Sequence, residues 1–147
     1  MSRSFKGRAI LPGNIEGEAL VTHRGFNTYA SFFTSMHTQA ETAKCSDSSN
    51  RELYGKTLTD KIICLAKTTG STLSGAVWQE VAQMGIAPKA MLFSRQIDSL
   101  AAGGLVVADV WVGKRIYALD QLGDQFLDAV KDGDRIVIRE DGTVIIR

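Results

Sequence analysis

The chain has 147 residues and a mass of 16.0 kDa, the size of one ordinary domain, and 44% of its residues are hydrophobic while 22% are charged. These values exclude a disordered tail, a collagen-like repeat and a small disulfide-framed protein, so residues 1–147 are expected to form a single domain with a real core. The 17 basic and 16 acidic residues give a formal net charge of +1 without a basic stripe, so nucleic acid is not an expected partner.

The N-terminal residues and the cysteines indicate a compartment. Residues 1–6 are partly basic but precede no apolar run, so no signal peptide is expected, and no stretch approaches the roughly 18 apolar residues of a membrane span. Cys45 and Cys64 form no CxxC pair and are expected to be reduced thiols. The expected location is therefore the cytoplasm, with no membrane partner.

The first half of the chain predicts strands on either side of an irregular stretch. Strands are expected at residues 7–11 and 18–22, joined by a turn in which Gly13 or Gly17 adopts a positive φ. Residues 27–54 are rich in Ser, Thr, Asn and Gln and keep no steady period, which predicts a binding loop or an interface. The apolar run at residues 61–66 predicts a strand that is buried on both faces.

The second half opens with a predicted strand–helix–strand unit. Leu73, Val77, Val81 and Met84 form one stripe of a helix that Gly85 would end. A strand at residues 90–93 would then complete a right-handed crossover between parallel strands.

The remaining elements are shorter. The pattern predicts helices at residues 96–102 and 121–130, and strands at 105–112 and 114–118. Residues 134–139 and 143–147 alternate around a turn at 140–142, which is typical of a hairpin. The predicted class is α/β, and the opening and closing hairpins favour a mixed sheet, either a β/β/α arrangement or a small barrel.

The junction between the buried strand at residues 61–66 and the next helix is the strongest candidate site. It reads Thr69-Gly70-Ser71-Thr72, and the beginning of a helix after a strand binds anions, because its N–H groups are unpaired and ligands collect at the carboxyl ends of strands. The alternative is that Ser71 or Thr72 only caps the helix. The loop lacks the Gly-Lys-Ser/Thr ending of a Walker loop and the glycine spacing of a dinucleotide fingerprint.

Other chemistry-bearing residues are isolated in the sequence. His23 and His37 have no companion at a metal-ligand spacing, so no metal site is expected within this chain. Asp109, inside the apolar stretch at 105–112, predicts either a paired structural carboxylate or a rim residue. Trp78 and Trp111 are expected to be core or interface anchors.

Seven blocks of the sequence, spread in order over nearly the whole chain, resemble the aconitase X small subunit. They are residues 7–13, 16–22, 54–61, 70–72, 85–90, 132–134 and 141–142. The resemblance implies a swivelling β/β/α fold similar to the fourth domain of aconitase, carried as a separate chain. It also implies a large catalytic subunit that supplies an iron or iron–sulfur centre, which this chain does not bind alone.

The family's known reactions are dehydrations of small hydroxy acids, of cis-3-hydroxy-L-proline to Δ1-pyrroline-2-carboxylate or of 5-phosphomevalonate to its anhydro form. Ser71 matches the first serine of the family's Gly-Ser-Ser loop, which implies a catalytic base, and Gly70 and Thr72 would hold the substrate through backbone N–H groups. Many relatives carry an Arg-Gly pair before the serines, where this chain has Thr68-Thr69-Gly70. Because arginine suits a phosphate, its absence favours the hydroxyproline substrate.

Three hypotheses follow, and the residues alone do not choose among them. The first is the small subunit of a cis-3-hydroxy-L-proline dehydratase, with phosphomevalonate as the alternative substrate. The second is a non-catalytic anion-binding module, and the third is a structural interaction domain. The resemblance favours the dehydratase subunit. Residues 27–54 depart from the family's pattern, so Asn27 is not included in the predicted site.

Overall fold

A computed structural model describes residues 2–70 and 73–147 of the chain. The strands are Arg3–Lys6 (β1), Arg8–Leu11 (β2), Ile15–Val21 (β3), Phe26–Asn27 (β4), Ile62–Leu65 (β5), Thr68–Thr69 (β6), Ala90–Phe93 (β7), Tyr117–Asp120 (β8), Arg135–Ile138 (β9) and Thr143–Ile146 (β10). The helices are Thr28–His37 (α1), Ser74–Met84 (α2), Ser99–Val107 (α3) and Asp124–Ala129 (α4), and a π-helical turn, Ala108–Val112, follows α3 directly.

Eight strands form one mixed sheet in the order β1-β10-β9-β3-β5-β7-β8-β2. The central strands β3, β5, β7 and β8 are parallel, and the flanking pairs are antiparallel. The two outermost strands, β1 and β2, are separated in the chain by Gly7 alone, so the edges of the sheet meet and the barrel is nearly closed. This confirms the predicted mixed, barrel-like fold.

Closure of the barrel places two demands on the residues at the seam. A side chain at position 7 would lie 2.7 Å from the carbonyl oxygen of Asp120, so the seam requires glycine. Beside it, Arg8 donates hydrogen bonds of 3.0 and 2.7 Å to the fully buried carboxylate of Asp120. Asp120 also accepts a 2.8 Å bond from the backbone N–H of Ile97, which ties the loop before α3 to the seam.

Strands β5 and β7 are buried at every position, as the apolar run at residues 61–66 predicts. Because side chains alternate along a strand, each contributes to two cores. Ile63, Leu65, Met91 and Phe93 face the core under α1, α2 and α3, and the intervening residues face a second core with α4 and the β9–β10 hairpin. The crossover from β5 through α2 to β7 joins parallel strands, as predicted, and α2 ends at Gly85, whose φ is +75°.

Residues 27–54 are not irregular throughout, because their first third forms α1. The side chain of Asn27 accepts a hydrogen bond from the backbone N–H of Ala30 and so caps the helix. Apolar residues then follow at the helical spacing i, i+3, i+4 and i+7, namely Tyr29, Phe32, Phe33 and Met36. This helical spacing of apolar residues is visible in the sequence, but the serines and threonines between them obscure it.

The predicted opening hairpin is wrong. Strand β2 pairs with β8 and β3 pairs with β5 and β9, because closing the barrel separates the two strands. Neither Gly13 nor Gly17 adopts a positive φ. Gly13 is required for space instead, since a side chain there would overlap the ring of Tyr117. The closing hairpin of β9 and β10 is confirmed.

The strand predicted at residues 105–112 is also wrong, since α3 and the π-helical turn occupy this stretch. An apolar run of this length fits a buried helix as well as a strand. The residue that caps its N-terminal end decides between the two structures. Asp98 accepts a 3.0 Å hydrogen bond from the backbone N–H of Ala101 and starts the helix. The next strand, β8, therefore begins at Tyr117 rather than at residue 114, and α4 is shorter than the helix predicted at 121–130.

The close contact of α2 and α3 generates a stability prediction. An alanine at position 104 would overlap the carbonyl oxygen of Gly75 and approach the Trp78 ring within 2.8 Å, so Gly104→Ala should lower the free energy of unfolding by about 1–3 kcal/mol. Gly103 faces open space on the same helix, so Gly103→Ala should raise it by about 0.5–1 kcal/mol through helix propensity. Urea denaturation measures both, and equal effects of the two substitutions would contradict this packing.

Candidate functional site

The four parallel strands end at one side of the barrel, where ligands of α/β proteins usually bind. The segments that follow β3 and β5 pair with each other there as β4 and β6, with Phe26 opposite Thr68 and Asn27 opposite Thr69. We call this region the carboxyl edge and define it as residues 22–28, 66–70, 73–74 and 94–99.

Three helices begin at the carboxyl edge, and they are linked by hydrogen bonds. Asn27 caps α1, and Asp98 caps α3 while it also accepts a short hydrogen bond from the hydroxyl of Thr68 on β6. Helix α2 differs, because its N-cap residue is Leu73, which has no side-chain acceptor. Each helix beginning carries a partial positive charge, so three of them together favour a negatively charged ligand, although the Asp98 carboxylate offsets part of that charge at α3.

Gly70 lies beside Asn27, at the junction that the sequence predicts. Its φ is +107°, a conformation that favours glycine. A side chain at this position would also lie 2.8 Å from Oδ1 of Asn27. The chain therefore passes directly against the Asn27 amide before it enters α2. Ser71 and Thr72, the other two predicted site residues, lie outside the described residues.

Asn27 is the residue that sequence reasoning missed at this site. It is brought against Gly70 by the pairing of β4 with β6 and is held in place by its capping bond to Ala30. Asparagine followed by apolar residues at helical spacing is a recognisable start of a helix. That signal locates a helix beginning, whereas the strand pairing that sets it beside Gly70 joins residues more than 40 positions apart.

The carboxyl edge exposes three cationic side chains, those of Arg24, Lys67 and Arg95. The backbone N–H of Phe26 donates a 3.0 Å hydrogen bond to the carbonyl of Lys67, which keeps the segments carrying Arg24 and Lys67 side by side. Arg95 lies 4.0 Å from the carboxylate of Asp124, a long ion pair. Within residues 2–70 and 73–147, no carboxylate lies within 4.0 Å of the charged groups of Arg24 or Lys67.

Glu52 holds the segment that carries Arg24. One of its oxygens accepts bonds from the Thr22 hydroxyl at 2.9 Å and from the backbone N–H groups of His23 and Arg24 at 2.7 and 3.2 Å. Its other oxygen lies 2.8 Å from Nδ1 of His23. Burial alone would raise the pKa of Glu52, but the hydrogen bonds that it accepts outweigh burial and lower this pKa. The bond to Glu52 raises the pKa of His23. His23 is thus an exposed histidine whose ring is hydrogen-bonded to Glu52.

The described part of the chain offers no metal-ligand set. Its His, Cys, Asp and Glu side chains do not gather in groups of three or more that could hold an ion. Cys45 and Cys64 are free and buried in opposite cores, and burial raises the pKa of both thiols. These residues do not fit an iron or iron–sulfur centre. No helix of the described residues is long and apolar enough to cross a membrane.

Asp109 and the two tryptophans have distinct structural roles. Asp109 forms a bidentate ion pair with Arg115, with both N–O distances at 2.9 Å, so it is the paired carboxylate that the sequence allowed. Trp78 is fully buried against Phe26 and Phe32 and is a core residue. Trp111 is 77% exposed on the π-helical turn and is available as an interface anchor.

Comparison with known proteins gives concordant matches over almost the full chain. The chain is 29% identical over 137 residues to the phosphomevalonate dehydratase small subunit of Archaeoglobus fulgidus, covering 93% of this chain and 92% of that protein. It is also 29% identical over 140 residues to the protein of the same name from Aeropyrum pernix, covering 95% and 90%.

The fold is shared with a solved structure. The crystal structure of Thermococcus kodakaraensis aconitase X in its holo-form superposes with a TM-score of 0.82 at 24% identity, over 99% of this chain and 98% of that one. The family model described as the aconitase X swivel domain matches residues 4–146. Because this match covers all but a few terminal residues, the chain belongs to the aconitase X swivel domain family.

Proposed function

We propose that the chain is the small subunit of a two-chain hydro-lyase that dehydrates 5-phosphomevalonate. The observation that carries this proposal is the carboxyl edge, which combines three helix beginnings, three exposed cations and Gly70 at a positive φ. The phosphomevalonate dehydratase small subunits that match nearly the whole chain support the same substrate.

The cations of the carboxyl edge can bind a phosphate even though the segment before Ser71 has no arginine. The segment before Ser71 lacks arginine, which favours an unphosphorylated substrate such as cis-3-hydroxy-L-proline. Arg24 and Lys67 lie on the paired segments beside that loop, however, and their charges are not neutralised by a carboxylate of the described residues. A phosphate carries more negative charge than the single carboxylate of hydroxyproline, so it would gain more from charge-assisted contacts with these two cations.

Ser71 is assigned the role of catalytic base, and Gly70 and Thr72 the role of holding the substrate. Ser71 would remove the proton next to the substrate carboxylate, a carbon–carbon double bond would form, and the neighbouring hydroxyl would leave as water. A serine is a base only when its alkoxide is stabilised. The beginning of α2, which Leu73 does not cap with a side-chain acceptor, and the nearby cations favour that charged form.

The proposed large subunit completes the site. The described residues provide no metal-ligand set, so we assign the iron or iron–sulfur centre implied for the family to the large subunit. The present chain then contributes the base and the anion-binding edge, and the small hydroxy-acid substrate would lie between the two chains. The proposed pair works in the cytoplasm.

Exchange of the proposed base gives the first functional prediction. In the assembled pair, Ser71→Ala should lower kcat by roughly 10³-fold, because removal of a general base costs 10²–10⁴-fold, while leaving assembly intact. Ser48→Ala, a matched change at an exposed serine of another loop, should leave kcat unchanged. Steady-state dehydration assays measure both. Near-normal turnover by Ser71→Ala would show that another group is the base.

The cations give the second functional prediction. Arg24→Ala and Lys67→Ala should each raise the KM for 5-phosphomevalonate by about 10-fold, since each loses one charge-assisted contact to phosphate. Arg139→Ala, which removes an exposed cation from the β9–β10 hairpin, should not change KM. Assays of the wild-type pair with cis-3-hydroxy-L-proline test the alternative substrate directly. Turnover of hydroxyproline but not of phosphomevalonate would reject the proposed substrate.

A further inference from the structure

Helix α3 and the π-helical turn carry an apolar surface on the outside of the molecule. No charged residue occurs between Asp98 and Asp109. The inner positions Ala101, Gly104, Leu105 and Ala108 are buried at helical spacing against α2. The outer positions are apolar as well, although they are exposed. We call them the apolar stripe and define it as Leu100, Gly103, Val106, Val110 and Trp111.

A helix that is apolar on both faces is typical of an element that is buried on both faces. Single exposed apolar residues are common, but the apolar stripe continues over successive turns and ends in two strongly exposed side chains. Val110 is 68% exposed and Trp111 is 77% exposed. Exposed tryptophan is unusual in a surface that faces only water, and tryptophan is enriched among the residues that dominate binding energy at protein interfaces.

Hydrogen bonds fix the segment at the end of the apolar stripe. The guanidinium of Arg115 binds both carboxylate oxygens of Asp109 and donates a 2.8 Å hydrogen bond to the carbonyl of Pro12. Gly113, with a φ of +75°, ends the π-helical turn. Trp111 therefore projects from a segment that is fixed at both ends, which lowers the conformational cost of binding.

The apolar stripe is continuous with the carboxyl edge. Its first residue, Leu100, lies in the first turn of α3, which begins at Asp98, the residue that Thr68 binds. The backbone of Leu100 also approaches Gly75 in the first turn of α2, close to Leu73, which is 62% exposed. A protein surface that covers Gly70 and Leu73 can therefore extend over Leu100 to the rest of the apolar stripe.

We infer that the apolar stripe is the surface on which the large subunit docks, through an uncharged, apolar face of that subunit. The inference rests on the proposed function for the identity of the partner. A single contact would cover the stripe and bring the partner's site against the carboxyl edge. Lys114, exposed beside the end of the stripe, sets a cation at the rim of the contact, where an acidic residue of the partner would fit.

The test measures the affinity of the full chain for the purified cognate large subunit by isothermal titration calorimetry. Trp111→Ala should weaken the Kd by about 30-fold or more, and Val110→Ser by about 5-fold, because these are the two most exposed apolar side chains of the stripe and tryptophan dominates binding energy at interfaces. Tyr54→Ala is the matched control, since Tyr54 is 57% exposed on the loop between α1 and β5. It should leave the Kd unchanged. The melting temperature of each isolated variant should stay at the wild-type value, because neither Val110 nor Trp111 is buried in the chain alone.

Activity separates this inference from the proposed function. At saturating large subunit, Trp111→Ala should recover the wild-type kcat, because the change affects docking and not chemistry. A wild-type pair that binds tightly but does not dehydrate phosphomevalonate would reject the proposed substrate and leave the docking result standing. An unchanged Kd for both stripe variants would overturn the docking surface. So would a failure of the wild-type chain to bind the large subunit, or a self-association of this chain that Trp111→Ala abolishes.

Discussion

Burial of β5 and β7 on both faces is the constraint on which the rest of the structure depends. Two adjacent parallel strands with no solvent-facing side require a core on each side, so α1, α2 and α3 cover one face while α4 and the closing hairpin cover the other. Parallel strands also require crossovers, and each crossover leaves from the same end of the sheet. The carboxyl edge is the direct consequence of that arrangement.

The same constraint explains why this edge is suited to an anion. The loops after β3, β5 and β7 lead to the beginnings of α1, α2 and α3, so their N–H groups and partial charges converge. The side chains of Asn27 and Asp98 accept hydrogen bonds from backbone N–H groups at the beginnings of α1 and α3. The third helix, α2, begins a few residues after Gly70. Closure of the barrel at Gly7 lies beside the end of β8, and Asp120 connects this seam to the carboxyl edge through its bonds to Arg8 and to the backbone N–H of Ile97.

Much of the fold could be predicted from the sequence, because the strongest patterns are local. Three local patterns predicted elements that the structure contains. They are the apolar run at residues 61–66 (β5), the helical spacing of apolar residues before Gly85 (α2) and the alternation after Asp134 (β9). The stretch at residues 105–112 could not be assigned, since an uncharged apolar run fits helix and strand equally until the cap at Asp98 is recognised. The opening hairpin failed because barrel closure, a long-range event, separates β2 from β3.

The candidate site was predictable only in part for a similar reason. Gly70 could be identified, because a glycine between a buried strand and a helix is a local signal. Asn27, Arg24 and Asp98 reach the same edge through pairing of distant segments, which no local pattern reports. The missing arginine before Ser71 does not by itself decide the substrate, because Arg24, from elsewhere in the chain, and Lys67 lie at this edge.

In the proposed pair, the carboxyl edge and the adjoining apolar stripe face the partner chain across the reaction site. Hydrogen–deuterium exchange of this chain, with and without its large subunit, tests that claim most directly. We expect slowed exchange at residues 66–70, 73–76 and 99–112 on assembly, with unchanged exchange at residues 134–147 in the closing hairpin. Protection confined to the closing hairpin, with none at the carboxyl edge, would contradict this expectation.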